Sequence, residues 1–168
     1  MSTAANVVVG IDYSECGDLA LEQAFEVAHR EHLEPHVVHA TLQVGAYMGV
    51  RTPDYGETLE QAREQLATYV RRKLEGWLAS RGGSGANFKQ VFTHVRVGAA
   101  DEAIAKLASD LDANMVLVGT HGRRGLSRLM TGSIAEGVVR LAPCPVLVVR
   151  PKSGGPSSPT GALPTAAE

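Results

Sequence analysis

The residues with the clearest chemical potential lie between positions 115 and 133. An apolar, β-rich run, Met115 to Val118, ends in Gly119; Gly122 follows after two residues, and Gly132-Ser133 after nine more. From Ile134 the pattern turns helical, with Ile134, Val138 and Leu141 at i, i+4, i+7 spacing. A glycine-lined loop therefore hangs between the carboxyl end of a buried strand and the amino end of a helix. Such a junction receives an anion well: backbone N–H groups point outward, the helix dipole is positive there, and glycines let a ligand approach the main chain. Ser133 adds a hydroxyl at the N-cap or first turn, and Arg123, Arg124 and Arg128 put cationic charge around the loop. The chemistry this predicts is a phosphate cradle, and hence nucleotide binding. Two glycines alone would be ordinary punctuation of an α/β chain. The full spacing is more specific.

Gly119-x2-Gly122-x9-Gly132-Ser133 resembles the ATP-binding motif of the universal stress protein family, G-x2-G-x9-G-[S/T], with every fixed position present. The likeness extends to VVVGIDYSE near the start, PHVVHATL in the second segment and PCPVLVVRP at the close, and spans roughly residues 5–151. It implies the ATP-binding subgroup of that family. The cofactor it implies is ATP or its product AMP, with Mg2+ as an optional companion of the phosphates. By the resemblance, Asp12 lies against the nucleoside, and His39 and Ala40 match the adenine wall, where contact runs mainly through the backbone. The phosphate-side residues it implies are Gly119, Gly122, Arg123, Gly132, Ser133 and Ile134. Val97-Gly98 ends the third strand on the same rim and is a further candidate for the base pocket.

Other signals carry less. Asp12 could serve simply as a helix N-cap, as could Ser14. His121, inside the phosphate loop, could act as a base or only as a hydrogen-bonding loop residue. His29, His32 and His36 suggest a metal set by their spacing, but Pro35 interrupts the helix before His36 and no ligand pattern completes it. No metal is expected. The chain has no G-x4-G-K-[ST], no G-x-G-x-x-G after the first strand and no G-x-S-x-G, and nothing assembles a triad or a carboxylate dyad. No catalytic residue is assigned. The leading expectation is a regulatory binding module in stress response. The alternatives are a slow ATPase or autokinase using Ser133, Thr131 or His121, and an interaction protein that needs no nucleotide.

Elements must hold these groups in place. Asn6–Ile11 is a continuous apolar run, the mark of a strand buried on both faces of a parallel sheet. A helix follows over about 16–32, with Leu21, Ala24, Phe25 and Ala28 inward. Pro35 stops any continuation, and Val37–Leu42 reads as the second strand. Residues 43–56, rich in Gly and Pro, read as a loop. A long helix over about 57–80 carries Leu59, Ala62, Leu66, Val70, Leu74 and Trp77 along one stripe. Gly82 to Gly85 form a turn. Gln90–Val97 is a third strand, Asp101 to about Leu111 a helix, Met115–Val118 a fourth strand and Pro145–Arg150 a fifth. Alternating strands and helices imply an α/β fold with parallel strands and right-handed crossovers. The family resemblance makes this a Rossmann-like three-layer α/β/α sandwich, a five-stranded parallel sheet of order 3-2-1-4-5. Its first and fourth strands then meet where the winding reverses, the crevice in which such sheets bind ligands.

Composition bounds the rest. The chain has 168 residues, 44% of them hydrophobic, enough for one domain with a substantial core, placed at 1–151. A net charge of -2 provides no basic field for nucleic acid or anionic membrane. No run is long enough to span a bilayer, and the N-terminus has no signal-peptide pattern. The two cysteines, Cys16 and Cys144, fit neither a disulfide scaffold nor a metal spacing, so a cytoplasmic setting is expected. Residues 152–168 are rich in Pro, Gly and Ser and read as a disordered tail. The expected partners are an adenine nucleotide, a second copy paired through strand 145–150, and a protein partner the sequence does not name.

Overall fold

The computed structural model describes residues 5–41, 58–83, 85–120 and 132–151. Among these residues nine elements alternate: β1 (Asn6–Ile11), α1 (Glu15–Glu31), β2 (Glu34–Thr41), α2 (Leu59–Ser80), β3 (Phe92–Val97), α3 (Ala100–Asp110), β4 (Met115–Gly119), α4 (Ser133–Leu141) and β5 (Val146–Val149). The five strands form one parallel sheet in the order β3-β2-β1-β4-β5. The expected Rossmann-like α/β sandwich is therefore present. The predicted loop over 43–56 and tail over 152–168 lie outside the described residues.

Strand alternation divides the core into two layers. Val7, Val9, Ile11, Val37 and Leu117 face α1 and α2, while Val8, Val38, Val116 and Val118 face α3 and α4. Leu21, Ala24, Phe25 and Ala28 of α1 are wholly buried, as the helical spacing predicted. Along α2, Ala62, Leu66, Val70 and Trp77 are buried, with Leu59 and Leu74 packed at the margin. Truncating a side chain such as Leu66 to alanine would cost about 2–5 kcal/mol. Gly82 and Gly83, at φ 70° and 75°, end α2 by returning their N–H groups to Ala79 and Leu78 at 3.1 Å each.

The structure corrects two boundary readings. β2 begins at Glu34, so Pro35 sits inside the strand rather than before it. Glu34 donates its N–H to Ala5 on the β1 side, so the missing donor of Pro35 faces β3's side. There β3 begins only at Phe92, level with His36, and no ladder bond is lost. β3 correspondingly starts at Phe92, not Gln90. In α4 the predicted apolar face also shifts: Ala135 and Val138 are buried, but Ile134 and Leu141 are 45% and 51% exposed. This helix lies over the β4–β5 end of the sheet, so Ile134, Val139 and Leu141 face outward.

Candidate functional site

β1 and β4 are neighbours, with Gly10 level with Val118, so Asp12 and Gly119 come out within one residue of each other at the carboxyl edge of the sheet. Ser14, not Asp12, is the N-cap of α1: its hydroxyl accepts from Gly17 N–H at 3.1 Å. The Asp12 carboxylate takes the Ser14 N–H at 3.1 Å and the Ser14 hydroxyl at 2.5 Å through Oδ1. Asp12 is thus held in a tight turn at the end of β1 by the residue that starts the helix. Between them Tyr13 adopts a left-handed backbone, φ 61°, a conformation that costs a non-glycine residue about 1 kcal/mol. That turn packs its ring at a tilt of 51° against His39, centroids 4.7 Å apart, and sets it edge-on to Tyr69 at 4.8 Å.

Gly119 is the last paired residue of β4, and a Cβ there would lie 2.8 Å from the backbone of Cys16 in α1. Its smallness therefore serves the approach of helix to strand, a reason the sequence reading did not find. The next residue, Thr120, is 2% exposed. Its N–H donates to Val149 at 2.9 Å and its carbonyl accepts the N–H of Gly132 at 2.6 Å. That last bond ties the strand's exit to the helix's entry and closes the base of the glycine loop. Gly132 is the N-cap of α4, with no side-chain cap, and Ser133 is the first helical residue. The first-turn N–H groups are thus presented at the helix's positive end, with Ser133 and Ile134 exposed. Gly122, Arg123, Arg124, Arg128 and His121 lie outside the described residues.

Ala40 lies one strand further along. His39 is level with Ile11, and the two residues point to opposite faces: His39 toward α1 and α2, Ala40 toward α3. On the His39 side, a cavity of about 700 Å³ opens beneath α2, walled by Tyr13, His39, Thr41, Gln65, Tyr69 and Arg72. The Arg72 guanidinium stands over the Tyr69 ring at 5.7 Å. Sequence reasoning missed Tyr13, Tyr69 and Arg72, because only the fold brings α2 over the end of β1. Val97 is 51% exposed and outside the cavity wall, though Gly98 N–H bonds Thr41 at 3.1 Å.

The three spaced histidines do not converge. His29 Nδ1 accepts the Asn87 N–H at 3.2 Å, while His36 pairs with His94 at 3.0 Å. Among the described residues, no group of three or more ligating side chains is arranged for a metal ion, and no helix is long and apolar enough to cross a membrane.

The universal stress protein family model matches residues 4–150. A universal stress protein of Mycolicibacterium smegmatis is 32% identical over 146 residues, which make up 87% of this chain and 46% of that protein. The chain thus spans about half the length of that relative. A Staphylococcus saprophyticus protein carrying the universal stress protein name is 30% identical over 151 residues, 89% of this chain and 86% of its own. Among solved structures, the universal stress protein from Archaeoglobus fulgidus in complex with dAMP superposes with a TM-score of 0.61 at 23% identity, over 88% of this chain and 99% of that one. A universal stress protein in complex with cAMP gives 0.57 at 19%, over 89% and 98%. Sequence relatives, strand order and family model agree: the chain belongs to the universal stress protein family.

Proposed function

We propose that this protein binds an adenine nucleotide, ATP or its product AMP, and acts as a dimeric regulatory module in stress response rather than as a turnover enzyme. In this reading the phosphates rest on the first turn of α4 and the loop bearing Gly119, Gly122, Arg123, Gly132 and Ser133, while the nucleoside lies along Asp12 and Ala40. Ile134 contributes its backbone N–H at the same turn. Mg2+ would neutralise phosphate oxygens where a triphosphate is held. The observation that carries the reading is the uncapped amino end of α4, joined to the end of β4 by the Gly132–Thr120 bond, within the complete glycine spacing. The solved relatives holding dAMP and cAMP support the same ligand class. Both cysteines are free, in keeping with a cytoplasmic setting. A protein partner would respond to nucleotide occupancy.

Mass spectrometry of ligand released on denaturing the purified protein, with calorimetry on the stripped protein, tests this. The expected result is an adenine nucleotide in the released fraction and an affinity for ATP that falls tenfold or more in Gly132→Val. A folded Gly132→Val with wild-type affinity would overturn the phosphate-loop assignment. Absence of both released nucleotide and binding heat would overturn the whole reading.

A further inference from the structure

We propose that Asp101 is a positioning residue for the nucleotide's phosphates: seated on Gly137, it sets where the amino end of α4 stands relative to the sheet. The inference rests on the phosphate reading above and adds to it a pair of residues, on two helices, that fixes the geometry of that end.

Two close approaches carry it. Ile104 of α3 lies over Gly10 of β1, where a methyl group would stand 3.0 Å from Ile104 Cγ1 and closer still to Cδ1. Asp101 of α3 lies over Gly137 of α4, where a methyl group would stand 2.8 Å from both Cβ and Cγ of Asp101. Carbon atoms in ordinary contact are about 3.5–4.0 Å apart. The helix α3 is therefore pressed onto the sheet at Ile104, and α4 is pressed onto α3 at Asp101, three residues earlier on the same side of that helix. Position passes from the strand that leads into Asp12, through α3, to the helix whose first turn receives the phosphates.

The remaining contacts of α4 do not fix it independently. Its buried residues, Ala135 and Val138, pack into the same layer as Ile104, Leu107 and Ala108 of α3, while Ile134, Val139 and Leu141 face outward. The Gly132 N–H bonds Thr120 at 2.6 Å, which pins one point but not the tilt of the helix. Ser133 stands four residues before Gly137, about 6 Å along the axis, so a displacement at Gly137 is carried to the first turn. The Cβ of Asp101 is fixed to the backbone of α3, and no rotamer moves it. A side chain at position 137 would thus drive the two helices apart by about 1 Å. Hydrogen bonds from first-turn N–H groups hold at about 2.7–3.2 Å, so that displacement is enough to lose phosphate contacts. Alanine suits a helix interior better than glycine does, so the loss would not come from a weaker α4.

The test is calorimetry on the stripped full-length protein with ATP and with adenosine, which keeps base and ribose and lacks the phosphates. Gly137→Ala should weaken ATP binding about tenfold or more and leave adenosine binding unchanged. Adding Asp101→Gly to Gly137→Ala moves the bare position from one helix to the other. That double variant should recover ATP binding although the carboxylate is gone, which marks the contact and not the charge as the cause. A packing role unconnected with the ligand would shift the denaturation midpoint and change ATP and adenosine alike. Wild-type ATP affinity in a folded Gly137→Ala, an equal loss for both ligands, or a double variant that binds ATP as weakly as the single one would overturn the assignment and leave the nucleotide reading intact. Where Gly137→Ala does not fold, the double variant decides: wild-type ATP affinity supports the assignment, and a tenfold loss overturns it. A wild-type protein that binds neither ATP nor adenosine would overturn both.

Discussion

Two glycines of one motif answer to different physics. A methyl group at Gly119 would meet the carbonyl carbon and oxygen of Cys16 at 2.8 Å, and backbone there cannot rotate away as a side-chain tip could. Gly119→Ala should therefore destabilise the fold by about 1–3 kcal/mol, the usual range for overpacking a tight contact. Urea denaturation checks this, and a midpoint equal to wild type would mean that α1 yields without strain. Gly132 is different: its φ of -57° and ψ of 143° are open to most residues. Substitution there should spare stability and act on ligand binding. The sequence spacing marked both positions alike, because a motif read along the chain cannot distinguish a glycine that admits a ligand from one that admits a helix. Asp12 shows the same limit. Its place after β1 was legible, but its commitment to the Ser14 N–H and hydroxyl needed the turn geometry.

Elements buried on one clear face were the most legible. The stripes of α1 and α2 came straight from helical periodicity because each covers the sheet along most of its length. α4 departed from the pattern because it lies over the margin of the sheet, where Ile134 and Leu141 find no partner layer among the described residues. The β2–β3 pair holds a feature that no spacing announces. His36, 6% exposed, shares a hydrogen bond of 3.0 Å with His94 and stacks on Phe92 at 4.4 Å. Burial, and then the neighbouring His94, push its pKa down to about 4, against a smaller upward pull from Glu34. Burial and Arg96 push His94 down as well. A depressed histidine is neutral in the folded state and protonates more readily when unfolded. Its stabilisation is complete above the unfolded value near 6.5 and is lost as pH falls from there toward 4. For His36 alone this amounts to about 2 kcal/mol between pH 7 and pH 5. Denaturation of wild type and His36→Leu at both values isolates the effect: the variant should lose less stability on acidification. Parallel losses in the two proteins would show that other groups carry the acid sensitivity.

For the molecule as a whole, the open question is what meets the β5 end of the sheet. β5 pairs with β4 on one side and with no strand among the described residues on the other. An unpaired edge presents backbone donors and acceptors to any strand that reaches it. Beside that edge Leu147 is 40% exposed, and Val139 and Leu141 of α4 are 53% and 51% exposed. A free backbone ladder next to apolar side chains suits an isologous contact, in which two copies of β5 run antiparallel across a two-fold axis. Pro145 does not obstruct it, since it precedes the strand and its carbonyl already serves Val116 at 3.0 Å. The choice of variant matters. Val148 packs against the core on the α3 and α4 side, so Val148→Asp would mix assembly with folding. Leu147→Asp places a charge on the exposed position and leaves that core intact. Wild type should be dimeric by light scattering at tens of micromolar, and Leu147→Asp monomeric with an unchanged circular dichroism spectrum. A wild-type protein that stays monomeric at those concentrations, with and without ATP, would remove the dimer from the proposal and leave this edge without a second copy to cover it.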